Sequence, residues 1–124
     1  MRLLDSNVVS YAFYNNDFTV KCQNAIKDGG AIDTFSLAES FLIIEKETGS
    51  REFAQKSIKS LFRLNIQIID IDLNVIFEAL KNINHYKLSI FDMIHYCCAA
   101  MNDCDAIISY DKDFDNLEIP REEP

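Results

Sequence analysis

The stretch Ser89–Asp115, SIFDMIHYCCAAMNDCDAIISYDKDFD, puts one carboxylate at the head of an apolar helix and three more just past a short apolar run. From Ile90 to Met101 the residues Ile90, Ile94, Cys97, Cys98 and Met101 recur at helical spacing, so one stripe of this helix faces a core. Asp92 falls in its first turn. After Asn102 and Asp103 comes Ala106–Ile107–Ile108, which fits a strand buried on both faces, as in a parallel sheet. Asp111, Asp113 and Asp115 then follow where that strand ends. In open α/β sheets ligands bind outside the carboxyl ends of the strands, so an acid at Asp111 is a site candidate.

Working outward, Arg2–Leu4 is a short apolar run ending in Asp5, Ser6 and Asn7, after which Val8, Val9, Tyr11, Ala12 and Phe13 begin a helical pattern. This reads as strand, turn, helix, with Ser6 or Asn7 as N-cap and Asp5 at the strand end. A second helix opens at Asp17 or Thr19 and runs to Lys27, where Gly29 and Gly30 stop it. A strand over residues 31–35 and a helix over residues 36–47 follow, the helix carrying Leu37, Phe41, Ile44 and Thr48 on one stripe and ending at Gly49. Another helix from Arg51 to about Arg63 is expected to bury Phe53, Ala54, Ile58, Leu61 and Phe62. Residues 66–69 form a third strand, and Asp72 caps a helix through Asn82. In the tail, Leu117–Ile119 is expected to add an edge strand before Pro120. Strands alternating with helices imply parallel pairing through right-handed crossovers, and hence a three-layer α/β/α sandwich with a central parallel sheet.

A chain of 124 residues with 48% hydrophobic content has the size of a single domain, residues 1–124, able to bury a real core. No apolar run approaches the roughly 20 residues that cross a bilayer, and the opening MRLLDSN reaches an acid too early for a signal peptide, so a cytoplasmic protein is expected. Cys22, Cys97, Cys98 and Cys104 contain no C-x-x-C pair, and adjacent Cys97 and Cys98 point to different sides of one helix. Reduced, mostly buried thiols are expected, not disulfides or zinc ligands. The net charge of −8 repels nucleic acid at long range and argues against a passive DNA- or RNA-coating protein. A bound divalent ion would invert that sign locally, and the acidity also suits a basic protein partner.

Four acids recur at equivalent places: Asp5 after the first strand, Glu39 in the first turn after the second, Asp92 at the head of the late helix and Asp111 after the fourth strand. Carboxylates converging in one crevice suit Mg²⁺ or Mn²⁺, hard ions that prefer oxygen ligands. Such ions lower the pKa of bound water and clamp a scissile phosphate. Each acid also has a plainer reading. Ser36-x-x-Glu39 and Ser89-x-x-Asp92 match capping boxes, Asp5 suits a turn, and Asp111, Asp113 and Asp115 suit a solvated loop. The plainer readings do not explain why all four acids lie on one edge of one sheet. Asp115 is either a second-metal ligand or a turn residue, and Ser109 either orients a ligand or ends the strand. His95, one turn after Asp92, makes an Asp-x-x-His metal pair conceivable, but neither it nor His85 has the partners of a zinc site. Lys56, Lys59 and Arg63 form a basic stripe, either a solvated face or a guide for an RNA backbone. Tyr11, Phe13 and Tyr14 near Asp5 suit the core, base stacking or a dimer face.

With these residues in place the chain resembles PIN-domain proteins of the VapC toxin type over nearly its whole length. The matching segments are LLDSN, SLAES, IFDMIHYCCAA and IISYDKDFD, the last two being the most specific in order, separation and flanking apolar residues. Ser6 and Ser109 stand where threonine is common in the family, and both keep the hydroxyl. The resemblance implies a divalent-metal ribonuclease with Asp5, Glu39, Asp92 and Asp111 as its acidic site; Ser109 and Asp115 are read from their positions as lining it. It also implies a homodimer, and inhibition by a small antitoxin that puts a basic side chain in the crevice. Two readings compete. A signalling receiver domain would take phosphate on Asp70, but it needs an acidic pair after the first strand, where Ser6 follows Asp5, and Lys112 sits in the wrong setting; a D-x-D phosphatase fails on the same missing acid. A PIN fold that binds partners without cleaving anything satisfies the same spacing.

Overall fold

A computed structural model describes residues 1–124. Its sheet has five short strands, β1 (Arg2–Leu4), β2 (Gly30–Asp33), β3 (Ile66–Ile69), β4 (Ala106–Ile108) and β5 (Arg121–Glu122). Their order is β3-β2-β1-β4-β5 and every neighbouring pair is parallel. The helices are α1 (Ser6–Tyr11), α2 (Thr19–Lys27), α3 (Thr34–Thr48), α4 (Arg51–Leu61), α5 (Leu73–Asn82) and α6 (Ile90–Met101). The chain starts in the middle of the sheet, steps outward through β2 and β3, and returns to the other side of β1 for β4. That reversal makes the carboxyl ends of β1 and β4 the place where a crevice opens, because the connections leave them in opposite directions.

Strand pleating divides the apolar residues between two faces. Leu3, Ala31 and Ile107 join Val75, Ala79, Met93, Cys97 and Cys98 from α5 and α6 in one core. Leu4, Ile32 and Ile108 join Val8, Val9, Cys22, Ile26 and Leu61 from α1, α2 and α4 in the other. Burying each such Leu or Ile contributes on the order of 2 kcal/mol, so both layers are held chiefly by these runs. This is the three-layer α/β/α sandwich that the alternation of elements predicts. Tight lateral packing is needed at one point: a Cβ on Gly30, whose φ is +132°, would sit 2.7 Å from the carbonyl oxygen of Arg2. Only glycine lets β2 approach β1 there.

Several boundaries differ from expectation for identifiable reasons. β2 stops at Asp33, and Phe35 belongs to α3, because the Asp33 carboxylate accepts from the backbone N–H of Ser36 (2.8 Å) and starts the helix early. Likewise Asp5, not Ser6 or Asn7, is the N-cap of α1. On α4 the buried stripe is Ala54, Ser57 and Leu61, while Phe53 (42% exposed) and Phe62 (58%) point outward. The ends of α6, Ile90 and Met101, are exposed, whereas Met93–Ala99 is buried throughout, since this helix is enclosed on more than one side. The edge strand forms beyond Pro120. Leu117 and Ile119 pack against the core of α5 and α6, the Ile119 N–H donates to Tyr96 Oη (3.3 Å), and the Pro120 carbonyl accepts from Ile107, leaving Arg121 to begin the ladder.

Cys22, Cys97, Cys98 and Cys104 are free and buried. Burial pushes the Cys97 and Cys98 thiols up to about 11 and about 12, so neither is a nucleophile at neutral pH. No helix is long and apolar enough to cross a membrane.

Candidate metal centre

At the end of β1 the chain turns directly into α1, and the turn fixes Asp5 by three hydrogen bonds. Its Oδ1 accepts from the N–H of Ser6 (2.8 Å); its Oδ2 accepts from Ser109 Oγ (2.7 Å) and Asn7 Nδ2 (3.1 Å). Ser109 directly follows β4 and is fully buried. Its hydroxyl also receives the N–H of Asp111 (2.9 Å) and Asn7 Nδ2 (3.3 Å), while Asn7 Oδ1 receives the N–H of Tyr110 (3.4 Å). One serine and one asparagine thus stitch the two strand ends together and set the spacing between Asp5 and Asp111.

Past β4 a single 3₁₀ turn, Lys112–Phe114, is capped by Asp111, whose Oδ1 accepts from the N–H of Asp113 (2.9 Å). The turn drives Phe114 into the core, where it is fully buried. That anchor separates the neighbouring acids. Asp113 falls beside Asp111 and Asp92, with one carboxylate oxygen from each of the three within 4.8 Å of the others. Asp115 is turned to Arg121, whose Nε donates to it at 2.6 Å. Arg121 also donates from Nη1 to the Ser109 carbonyl (3.0 Å), so Asp115 braces the back of the strand end.

The third side is α6. Ser89 caps it through the N–H of Asp92 (3.2 Å), and Asp92 sits half-buried in the first turn. One turn on, His95 is 2% exposed and lies between two carboxylates: Nδ1 is 2.6 Å from Asp33 Oδ2, and Nε2 is 2.7 Å from Glu39 Oε1. Glu39 therefore takes no part in a capping box with Ser36; Asp33 caps α3, and Glu39 reaches across to α6.

The electrostatics follow from crowding. Burial, then the negative charges of Asp111 and Asp5, raise the Asp92 carboxyl to about 6. Burial also holds Asp5 above the ordinary carboxylate range, although the hydrogen bond from Ser109 and the nearby His95 charge pull the other way. For His95 burial alone would favour the neutral ring, but hydrogen bonds to Asp33 and Glu39 prevail and raise it to about 10, so it is an imidazolium at neutral pH. One cation among so many acids does not balance the crevice. A hard divalent ion fits what remains, because the converging groups offer only oxygen and their mutual repulsion is relieved by positive charge. His95 has no free nitrogen for such an ion.

The structure brings Asp92 and Asp111 together with Asp113; Asp5 acts on Asp92 through its charge and feels the charge of Glu39, and Ser109 links Asp5 to the Asp111 backbone, while Asp5 and Glu39 stand outside the three-carboxylate cluster. Three contributors are not singled out by the sequence: Asn7, which reads only as a cap; Asp33, which falls inside the expected strand; and Asp113, indistinguishable by spacing from Asp111 and Asp115. A signal for Asp33 existed. Asp33-Thr34 repeats Asp5-Ser6, an acid and a hydroxyl residue after an apolar run.

No curated protein sequence matches the chain. Among solved structures it is similar to VapC20 of Mycobacterium tuberculosis, a Sarcin-Ricin loop cleaving toxin, with TM-score 0.79 and 8% identity over 96% of this chain and 98% of that one. A toxin–antitoxin complex from Klebsiella pneumoniae aligns with TM-score 0.73 and 17% identity over 94% and 92%. VapBC2 from Rickettsia felis, bound to a DNA fragment from its promoter, aligns with TM-score 0.72 and 17% identity over 98% and 97%. At such identities these likenesses speak for the fold. The PIN domain family, however, matches in sequence over residues 2–120, and a match of that extent, on a sheet whose switch point gathers the acids, makes this chain a member of the PIN domain family.

Proposed function

We propose that the chain is a divalent-metal-dependent endoribonuclease, the toxin of a VapBC-type toxin–antitoxin pair, in which Asp5, Glu39, Asp92 and Asp111 hold Mg²⁺ or Mn²⁺. The observation that carries this reading is the meeting of Asp92, Asp111 and Asp113 oxygens within 4.8 Å at the switch point, in the electrostatic reach of Asp5. Such crowding costs free energy in the free chain and is relieved when a cation enters. Bound there, the ion supplies Lewis-acid polarisation of a phosphate oxygen and a water of lowered pKa.

The residues of the chain do the rest. Ser6 N–H, Asn7 and Ser109 hold Asp5 in one rotamer, so its carboxylate is ready without reorganisation. Asp113 is the added carboxylate of the cluster in this reading; Asp115 lines the strand end through Arg121. RNA as substrate rests on the likeness to toxins such as the Sarcin-Ricin loop cleaving VapC20. A small antitoxin with a basic segment is supported by the net charge of −8, the acidic crevice and the toxin–antitoxin complexes among similar structures. Leu73, Phe77 and Leu80, each more than half exposed along α5, offer apolar surface for protein contacts, consistent with a homodimer.

The test is cleavage of labelled single-stranded and structured RNA with Mg²⁺ or Mn²⁺ against EDTA. The wild type is expected to cut only with metal, and Asp92→Asn to lose activity by roughly a hundredfold or more, since even residues behind metal ligands are worth ten- to hundredfold. A wild type that binds Mn²⁺ but cuts no RNA would leave a metal-binding PIN module instead.

A further inference from the structure

His95 is the one buried imidazole beside the acidic cluster, and neither a metal ligand nor a capping role accounts for it. We infer that His95 is a positioning residue: the buried chain Asp33–His95–Glu39 locks the Glu39 carboxylate on α3 against α6, fixing one oxygen and leaving the other, which makes no hydrogen bond, free for a metal. The inference rests on the metal-site reading above.

Three observations carry it. Both ring nitrogens lie on carboxylate oxygens, at 2.6 Å to Asp33 and 2.7 Å to Glu39, so the ring is held from both sides. Asp33 is itself immobile, fully buried, with its other oxygen occupied by the N–H of Ser36 (2.8 Å). The strut is therefore anchored in backbone at its far end, as a rigid support must be. Glu39, by contrast, is partly exposed, and its only side-chain hydrogen bond is the one from His95. A glutamate side chain is rotamer-rich, so without that contact Glu39 would be free to leave the crevice. Residues that orient ligands in this way are worth ten- to hundredfold in metal affinity.

A purely electrostatic role predicts the opposite sign. Removing a cation from an acidic crevice would tighten divalent-ion binding, whereas removing a strut would weaken it. The experiment is a Mn²⁺ titration of the purified chain, followed by electron paramagnetic resonance and calorimetry, on wild type, His95→Ala, His95→Asn and His95→Gln, each checked for folding by circular dichroism. Gln carries an amide near the position of Nε2 and keeps the contact to Glu39; Asn reaches only toward Asp33. The expected result is Mn²⁺ affinity weakened about ten- to hundredfold in His95→Ala and His95→Asn, with most of it restored in His95→Gln. Unchanged or tighter binding in the first two variants overturns the positioning role and leaves the metal site standing. No Mn²⁺ binding by the wild type overturns both. The wild type alone gives a second readout that needs no variant to fold. In ¹⁵N spectra of the imidazole, saturating Mg²⁺ is expected to shift the Nε2 signal, which touches Glu39, more than the Nδ1 signal, and an unmoved Nε2 overturns the inference.

Discussion

Asp92 bears more of the crowding than an exposed aspartate could. Its carboxyl stands at about 6 against an ordinary 3.8, through burial first and the charges of Asp111 and Asp5 second. The sign for stability follows from linkage: a folded-state pKa above the unfolded value means the native state binds the proton better. The associated stability is complete below pH about 3.8 and is lost as pH rises through about 6. In EDTA, Asp92→Asn should therefore be more stable than wild type near pH 8, with the difference vanishing near pH 4. Because Asp92 is only half-buried, solvent screening cuts the full shift to roughly 1 kcal/mol, or a rise of about 4 °C in melting temperature. Thermal melts of both proteins across that range check it; parallel curves at every pH would mean that Asp92 is not crowded. At this scale the sequence marks Asp5, Asp92 and Asp111 as candidates, since each follows a strand or opens a helix, whereas Glu39 falls past the first turn of α3 once that helix starts at Thr34. It offers His95 only as a conceivable metal partner of Asp92, because the actual partner Asp33 lies 62 residues away and becomes a neighbour only when α3 and α6 pack on the same sheet end.

Helix starts in this chain serve two ends, and the caps differ accordingly. Asp33 and Asp72 both accept from the backbone N–H three residues on, at 2.8 and 3.2 Å. Asp72 is exposed and does nothing else in the structure, so Asp72→Ala should cost about 1 kcal/mol, the usual worth of an N-cap. Asp33 is fully buried against His95, and Asp33→Ala leaves the buried ring with Glu39 as its one carboxylate partner, which should cost roughly 2 to 3 kcal/mol, more than the cap alone. Urea denaturation at pH 7 measures both; equal losses would show that the Asp33–His95 contact adds nothing to the cap. Element types could be read from the chain because the periodicities are clean, and α5 and α6 begin where their Asp72 and Ser89 caps predict. Boundaries failed where a cap competed with propensity, as at Asp33. The facing of α4 failed because aromatic residues were assigned inward on hydrophobicity alone, while the stripe Ala54, Ser57 and Leu61 is what the close approach of α3 admits.

Over the whole molecule, a charge of −8 offers many places for a divalent ion to associate loosely, so a metal effect by itself says little about the crevice. Specific binding differs in its linkage: an ion that binds the native site and not the unfolded chain stabilises by about 2.7 kcal/mol at a hundredfold excess over its dissociation constant. For a chain of this length that corresponds to a rise of roughly 10 °C. Diffuse neutralisation of surface charge is instead matched by monovalent salt, which screens exposed charges beyond about 8 Å at physiological ionic strength. Melting the wild type in EDTA, in 150 mM NaCl with EDTA, and in Mn²⁺ with the same NaCl should therefore give a small rise with salt and a large one with metal. Asp92→Asn combined with Asp111→Asn should keep the salt response and lose the metal response. If the double variant still gains several degrees from Mn²⁺, the ion is being held elsewhere on the acidic surface, and the order β3-β2-β1-β4-β5 gathers these carboxylates without building them into a site.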